Sequence, residues 1–131
     1  MLTLDTSALI ALMSERERHH SASVDVLRAS DPPYIVPMGI LAEVTYLALH
    51  RIGPSHLDRF LADIESMAYE VDCGDQDLGR VRELVRRYAD LPLSFADACV
   101  VSCAERNGGV VCTFDRDFHI VAREGTISVL P

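Results

Sequence analysis

The sequence predicts an α/β fold in which a mainly parallel central sheet is flanked by helices. Segments with a strand pattern alternate along the chain with segments that have helical periodicity. The strand segments are short and apolar on both faces, which is typical of parallel strands covered by helices. The chain has 131 residues, 49% of them apolar, and this suffices for one core. We therefore expect a single domain over residues 1–131, with a ligand site beyond the carboxyl ends of the strands.

The first half of the chain is predicted to contain two strands and four helices. The strands are expected at 2–4 and 34–36, and the helices at 7–13, 21–29, 40–51 and 55–67. Pro32 and Pro33 end the second helix because proline cannot continue a helix, and Gly53-Pro54 ends the third. The fourth helix has an apolar face, which consists of Leu57, Phe60, Leu61 and Ile64.

The second half is predicted to contain three strands and two long helices. The strands are expected at 69–71, 110–113 and 127–130, and the helices at 75–88 and 94–105. The helix at 75–88 is amphipathic, with an inner face of Leu78, Val81, Leu84 and Val85. The helix at 94–105 ends at Asn107-Gly108-Gly109, since glycine is common just past a helix end.

The composition of the chain argues against some classes of function. The net charge is −8, and all twelve basic residues are arginine. This argues against a protein that coats nucleic acid through a broad basic face. No apolar run approaches the roughly 20 residues of a membrane span, and no basic segment precedes an apolar one at the start, so we expect a cytoplasmic protein. In that compartment the four cysteines are expected to be buried free thiols. A zinc site built from them with His119 is the weaker alternative, because the close Cys-x-x-Cys pairing of structural zinc sites is missing.

Four carboxylates lie within, or directly after, runs that are otherwise apolar: Asp5, Glu43, Asp97 and Asp115. An ionised carboxylate in a poorly solvated place costs several kcal/mol unless it is paired or binds a metal. Because the four are spread over the whole chain and fall near element ends, they predict one convergent acidic site. That site would hold a divalent cation.

The four acids differ in how strongly they indicate a site. Asp97 is the only charged residue between positions 90 and 105 and belongs to a helix that is apolar on nearly all sides. Asp5 also suits a helix N-cap, and Asp115 an ordinary turn. Glu43 falls among an apolar helical stripe, with a solvated rim position as the alternative.

The chemistry of such a cluster favours Mg²⁺ or Mn²⁺, since these hard ions prefer oxygen ligands. Without a cation, close carboxylates raise one another's pKa. A metal activates a bound water as a nucleophile and screens the charge of a phosphodiester. Thr6, Ser7 and Thr113 could hold a metal-bound water or a carboxylate, or cap the local backbone. Asp117 could replace Asp115 as a metal ligand, or support the ligands without contacting the metal itself.

The four acids fall in four short motifs, which read LDTSAL at 4–9, LAEV at 41–44, LSFADA at 93–98 and TFDRDF at 113–118. Together and in this order they resemble the PIN-domain nucleases, and in particular the VapC-type toxins of bacterial toxin–antitoxin pairs. The resemblance covers nearly the whole chain.

This resemblance implies a PIN-like α/β/α sandwich and a Mg²⁺- or Mn²⁺-dependent endoribonuclease. It further implies a homodimer that is held inactive by a cognate antitoxin, whose C-terminal segment crosses the active-site groove. By the motif match, the catalytic metal ligands would be Asp5, Glu43, Asp97 and Asp115.

Contact with RNA would require local cations to offset the acidic net charge. Candidates are exposed arginines, for each of which a solvated helix face is the alternative: Arg16, Arg18, Arg80, Arg82, Arg86 and Arg87.

Two other functions fit parts of the pattern. Aspartyl-phosphate phosphatases and receiver domains also place an aspartate after the first parallel strand, but they usually need a lysine, and this chain has none. A non-catalytic module could keep the fold and the acids for a structural cation and a partner.

Overall fold

A computed structural model describes residues 1–131 and has a five-stranded sheet at its centre. The strands are β1 (Leu2–Leu4), β2 (Tyr34–Pro37), β3 (Glu70–Asp72), β4 (Val110–Cys112) and β5 (Ser128–Leu130). They lie in the order β3-β2-β1-β4-β5, and every neighbouring pair is parallel. The predicted parallel sheet is thus confirmed. The chain first builds outward from β1 to β3 and then returns to add β4 and β5 on the other side, which opens a crevice between β1 and β4.

Seven α-helices surround the sheet. They are α1 (Thr6–Met13), α2 (His20–Ala29), α3 (Leu41–Leu47), α4 (Pro54–Glu65), α5 (Leu78–Arg87), α6 (Phe95–Arg106) and α7 (Asp117–Val121). α1 packs against α2 and α3, whereas α5 packs against α6, which lies on β1, β2 and β4. Six of the helices were predicted; α7 was missed because its five residues are too few to show a period. None of the seven has the length and apolar composition that a membrane crossing needs.

The predicted helix at 40–51 is three different helical segments. A 3₁₀ turn at Met38–Ile40 leads into α3, and a π-helical turn follows at Ala48–Ile52. The N–H of Gly53 donates to the carbonyl of Ala48 at 2.8 Å, which is the wide hydrogen bond of a π turn. Gly53 has a φ of 139°, a conformation that glycine adopts without strain. The chain then turns into α4.

The core agrees with the predicted apolar faces except at three positions. Leu78 is 61% exposed and Leu61 47% exposed, although both were expected inside. Leu78 is the first residue of α5, and on α4 only Phe60 is fully buried. Cys73 is exposed rather than buried, while all four cysteines are free thiols, as expected.

A cluster of ion pairs joins α5 to α6 and to the turn after α7. Arg80 donates to Glu105 at 2.8 Å and to Glu124 at 2.7 Å. Glu124 also accepts hydrogen bonds at 2.6 Å from Arg87 and from the hydroxyl of Tyr88. Arg80 is half-buried and Arg87 lies on a solvated face, but both are paired with glutamates, which makes them less available to RNA than unpaired surface arginines. Their charges are committed to holding helices together.

Gly39 is where the turn after β2 touches α6. A Cβ at this position would lie 2.6 Å from Sγ and 2.7 Å from Cβ of Cys99. We expect Gly39→Ala to lower the free energy of unfolding by about 1–3 kcal/mol, because the backbone must move to relieve the overlap. Gly79→Ala on α5 meets open space and should raise it by about 0.5–1 kcal/mol. Urea unfolding of both variants checks the pair, and equal effects would contradict the contact.

Glu124 should make stability depend on pH. Burial raises its pKa, but hydrogen bonds from Tyr88, Arg80 and Arg87 outweigh burial and hold the pKa at about 2, below the ordinary 4.5. The stability that this charge contributes is therefore complete above pH 4.5 and is lost as pH falls towards 2.

We expect Glu124→Gln to lower the free energy of unfolding by about 1–2 kcal/mol at neutral pH, with the difference from wild type shrinking in acid. Denaturant unfolding across a pH series measures this. Glu65→Gln, at an exposed residue without an ion pair, should have no effect at any pH. A Glu124→Gln effect that stays constant with pH would show that the charge does not contribute.

Candidate functional site

An acidic cavity of about 270 Å³ opens where β1 and β4 end and where α3 and α6 begin. The structure brings all four predicted acids to its wall: Asp5, Glu43, Asp97 and Asp115. Asp5 follows β1 directly, and Asp115 lies in the loop after β4. Because β1 and β4 are adjacent and parallel, their carboxyl ends meet. The other two acids come from the first turns of α3 and α6.

Asp5 is the most deeply buried of these acids, with 4% of its surface exposed. The hydroxyls of Ser7 and Thr113 both donate to its Oδ2, at 2.9 Å and 2.7 Å. Asp5 stands at the N-cap position of α1, yet its side chain makes no capping hydrogen bond. The N-cap position is therefore as expected, but the carboxylate is turned towards β4 and does not cap the helix.

The pKa of Asp5 is raised. Burial is the largest cause; the Thr113 and Ser7 hydrogen bonds oppose it, and the nearby charge of Asp97 adds to the rise. The hydroxyls thus compensate the buried charge only in part. A cation in the cavity would supply the rest.

The two hydroxyls also organise the loop after β4. Ser7 Oγ accepts the N–H of Phe114 at 2.9 Å, and Thr113 Oγ1 accepts the N–H of Asp115 at 3.0 Å. Each hydroxyl can therefore direct its own proton to Asp5. Of the three hydroxyl residues predicted to support the site, Ser7 and Thr113 hold a carboxylate. Thr6 is buried at the cavity wall and makes no side-chain hydrogen bond.

Asp97 has a local role that was not expected. Ser94 Oγ accepts the N–H of Asp97 at 3.0 Å, and Asp97 Oδ2 accepts the N–H of Ser94 at 3.3 Å, which forms a capping box at the start of α6. Burial raises the pKa of Asp97, the Ser94 hydrogen bonds oppose this, and the charges of Asp115 and Asp117 raise it further. The acids are thus close enough to repel one another.

Asp115 combines the turn role and the site position. Its Oδ1 accepts the N–H of Asp117 at 2.9 Å, which supports the first turn of α7. Asp117 is the first residue of α7 and does not line the cavity. The structure therefore places Asp115 at the wall and Asp117 behind it.

Glu43 differs from the other three acids because it is exposed. The expectation of an apolar setting is wrong for its side chain, since its neighbours Val44 and Ala48 turn into the core instead. Glu43 nevertheless faces the cavity, together with Leu47 and Arg51. These three are spaced by four residues and lie along one helical line.

Three further polar residues of the wall were missed: Glu17, His19 and Arg51. Arg51 pairs with Glu17 at 2.7 Å. The His19 ring stacks on Phe114, with centroids 4.2 Å apart and planes at 5°. Glu17 and His19 belong to a polar stretch between helices that shows neither helical nor strand periodicity. The spacing of Arg51 from Glu43 was the one available signal.

The donors of the wall fit a hard divalent cation. No three His, Cys, Asp or Glu side chains stand close enough together to enclose one ion. Such ions keep several waters and need only one or two carboxylates at a time. The wall offers carboxylate oxygens and no thiol, and Oδ1 of Asp5 carries no side-chain hydrogen bond. An oxygen-preferring ion suits this set better than zinc.

This fold and this wall of acids define a PIN domain: residues 2–124 match that family, and the chain belongs to it. The ribonuclease VapC26 of Mycobacterium tuberculosis (strain ATCC 25618 / H37Rv) is 28% identical over 135 residues, which span 99% of this chain and 100% of the relative.

Solved structures share the α/β/α architecture, so the predicted PIN-like sandwich is confirmed. VapC20 of Mycobacterium tuberculosis, described as a Sarcin-Ricin loop cleaving toxin, superposes with a TM-score of 0.85 at 23% identity over 100% of both chains. A toxin–antitoxin complex from Klebsiella pneumoniae gives 0.69 at 22% identity over 90% of each chain.

Asp5→Asn should stabilise the metal-free protein at neutral pH. The variant keeps an oxygen for both hydroxyls but removes the buried charge. The pKa of Asp5 in the fold lies above 3.8. The stability that protonated Asp5 contributes is therefore present below pH 3.8 and is lost as pH rises through the folded pKa, where the buried carboxyl ionises. We expect a gain of about 1–2 kcal/mol at pH 7 that disappears in acid.

Urea unfolding in EDTA across pH measures this gain. Asp25→Asn, at an exposed residue of α2 that lies outside the cavity, is the matched control and should leave stability unchanged. A less stable Asp5→Asn at pH 7 would mean that the carboxylate is already fully compensated.

Proposed function

We propose that this protein is a metal-dependent endoribonuclease that acts as the toxin of a type II toxin–antitoxin pair. The observation that carries the proposal is the convergence of Asp5, Glu43, Asp97 and Asp115 on one cavity. The likeness to a VapC ribonuclease over 99% of the chain supports it. The reaction would be hydrolysis of an RNA phosphodiester bond.

One or two of the four acids at a time, together with waters, would hold Mg²⁺ or Mn²⁺, which when bound supplies an activated water and screens the phosphate charge. Ser7 and Thr113 orient the Asp5 carboxylate through its Oδ2. Asp5 and Asp97 have raised pKa values, with burial as the main cause in each, so both gain from a nearby cation. Glu43, exposed at the rim, can position a water over the scissile phosphate.

The remaining expectations extend this proposal. A cognate antitoxin is the proposed partner, and the structural likeness to a chain of a toxin–antitoxin complex supports it. A homodimer is proposed because α3, the π turn and α4 expose the apolar side chains Tyr46, Leu49 and Leu61. We further propose one domain over residues 1–131, which works in the cytoplasm, where its RNA substrate is found.

Asp97→Asn should reduce RNA cleavage by about 100-fold or more, because it removes a charge from the metal-binding wall. Cleavage of purified ribosomal, transfer and messenger RNA by the antitoxin-free protein with Mn²⁺ measures this, and EDTA should abolish it. Asp25→Asn, outside the cavity, is the control and should cleave like wild type.

Two results would contradict the proposal. Cleavage by Asp97→Asn at the wild-type rate would place the activity elsewhere or in a contaminant. Binding of Mn²⁺ in calorimetry without cleavage of any RNA would instead identify a non-catalytic module that keeps the acids for a cation and a partner.

A further inference from the structure

A second cavity, of about 520 Å³, opens beside the acidic one and shares Glu17 and Arg51 with it. Its wall carries two glutamates, Glu15 and Glu17, and a larger group of basic side chains: Arg16, Arg51, His56 and Arg59. Arg16 comes from the loop between α1 and α2, and the other three come from the π turn and α4. We call this group the basic cavity.

Two of its arginines have no partner in the chain. Arg16 and Arg59 are exposed, and neither side chain makes a hydrogen bond or an ion pair. By contrast, Arg80 and Arg87 are held by glutamates. In a protein of net charge −8, unpaired guanidinium groups beside an acidic site are positions where an anion can be bound.

The π turn carries Arg51 to the boundary between the cavities. Arg51 is four residues beyond Leu47 and eight beyond Glu43, and all three face the acidic cavity. After Gly53 the chain reverses into α4, which brings Arg59 to the basic cavity. The side chain of Arg51 is 59% exposed, and its only partner is Glu17. This guanidinium can therefore exchange partners without repacking the core.

Electrostatics explains why a strand would need both cavities. The acidic wall combines the four predicted carboxylates and that of Glu17 with a single guanidinium. The guanidinium offsets one of these charges and a divalent cation two more, so negative charge remains and the phosphates next to the scissile one would be repelled there. Guanidinium groups bind phosphate oxygens in a bidentate manner, and the basic cavity presents them where the strand leaves the acids.

We propose that Arg16, Arg51, His56 and Arg59 form a subsite for the backbone phosphates adjacent to the bond that is cut. Arg51 exchanges Glu17 for a phosphate when RNA binds, and Glu17 holds Arg51 in place until then. This inference rests on the proposed function, because it takes RNA as the ligand. An RNA strand accounts for both cavities at once, whereas an acidic protein segment would account only for the basic one.

The test is RNA binding by protein that carries Asp97→Asn, so that cleavage does not consume the probe. Fluorescence anisotropy with a labelled single-stranded RNA oligonucleotide, over a series of salt concentrations, gives the Kd and its salt dependence. Adding Arg51→Gln and Arg59→Gln should raise the Kd about tenfold or more. The slope of log K against log salt should flatten by about 0.7 for each phosphate that the variant no longer binds.

The matched control adds Arg28→Gln and Arg123→Gln, which remove the same charge from exposed, unpaired arginines that lie outside both cavities. We expect its Kd to change less than twofold. Glu17→Gln should act in the opposite direction and tighten RNA binding several-fold, because it frees Arg51 and removes a negative charge. A purely structural role of the Glu17–Arg51 pair would not produce a gain.

Three results would overturn the subsite: equal weakening by both double variants, an unchanged Kd for the Arg51/Arg59 variant, or weaker binding by Glu17→Gln. Retained RNA binding with loss of a co-purifying partner protein would make the basic cavity a protein site instead. Selective loss of RNA binding in a protein that never cleaves would keep the subsite and reject the nuclease. Cleavage with an unchanged KM in the Arg51/Arg59 variant would keep the nuclease and reject the subsite.

Discussion

The hydrogen bonds from Ser7 and Thr113 to Oδ2 of Asp5 join the ends of β1 and β4, and the rest of the site depends on them. Burying a carboxylate is costly unless donors compensate it. The same two hydroxyls accept the N–H groups of Phe114 and Asp115. They therefore set the course of the loop that carries Asp115. One network compensates a buried charge and positions a second acid.

Three of the acids at the cavity wall use one of their two carboxylate oxygens in a hydrogen bond within the fold. Asp5 uses Oδ2 for the two hydroxyls, Asp97 uses Oδ2 for the capping box, and Asp115 uses Oδ1 for the first turn of α7. In each case the other oxygen carries no side-chain hydrogen bond. A local structural role is thus no argument against a metal-binding role, since one carboxylate supports both. The local bonds also restrict rotation, which pre-orients the free oxygen.

The parts of the fold that follow from periodicity and from parallel-sheet geometry could be predicted from the sequence. The strands, the long helices and the meeting of Asp5 with Asp115 belong to this part, because neighbouring parallel strands end at the same edge. Arg51 shares a helical spacing with Glu43, but its partner Glu17 lies 34 residues away, and no local pattern indicates that pair. The partners of Arg80 lie 25 and 44 residues away, and such pairings are fixed only when helices pack.

The arginines show why net charge is a weak guide to nucleic-acid binding in this protein. Arg80, Arg87 and Arg106 are paired with acids that hold helices and loops together, and those charges cancel within the fold. Arg16 and Arg59 have no such partners and lie next to the acidic cavity. Since exposed charges are screened beyond about 10 Å at moderate salt, a bound phosphate responds to the nearest unpaired guanidinium groups. The total of −8 describes the whole chain, whereas binding depends on where the unpaired arginines lie.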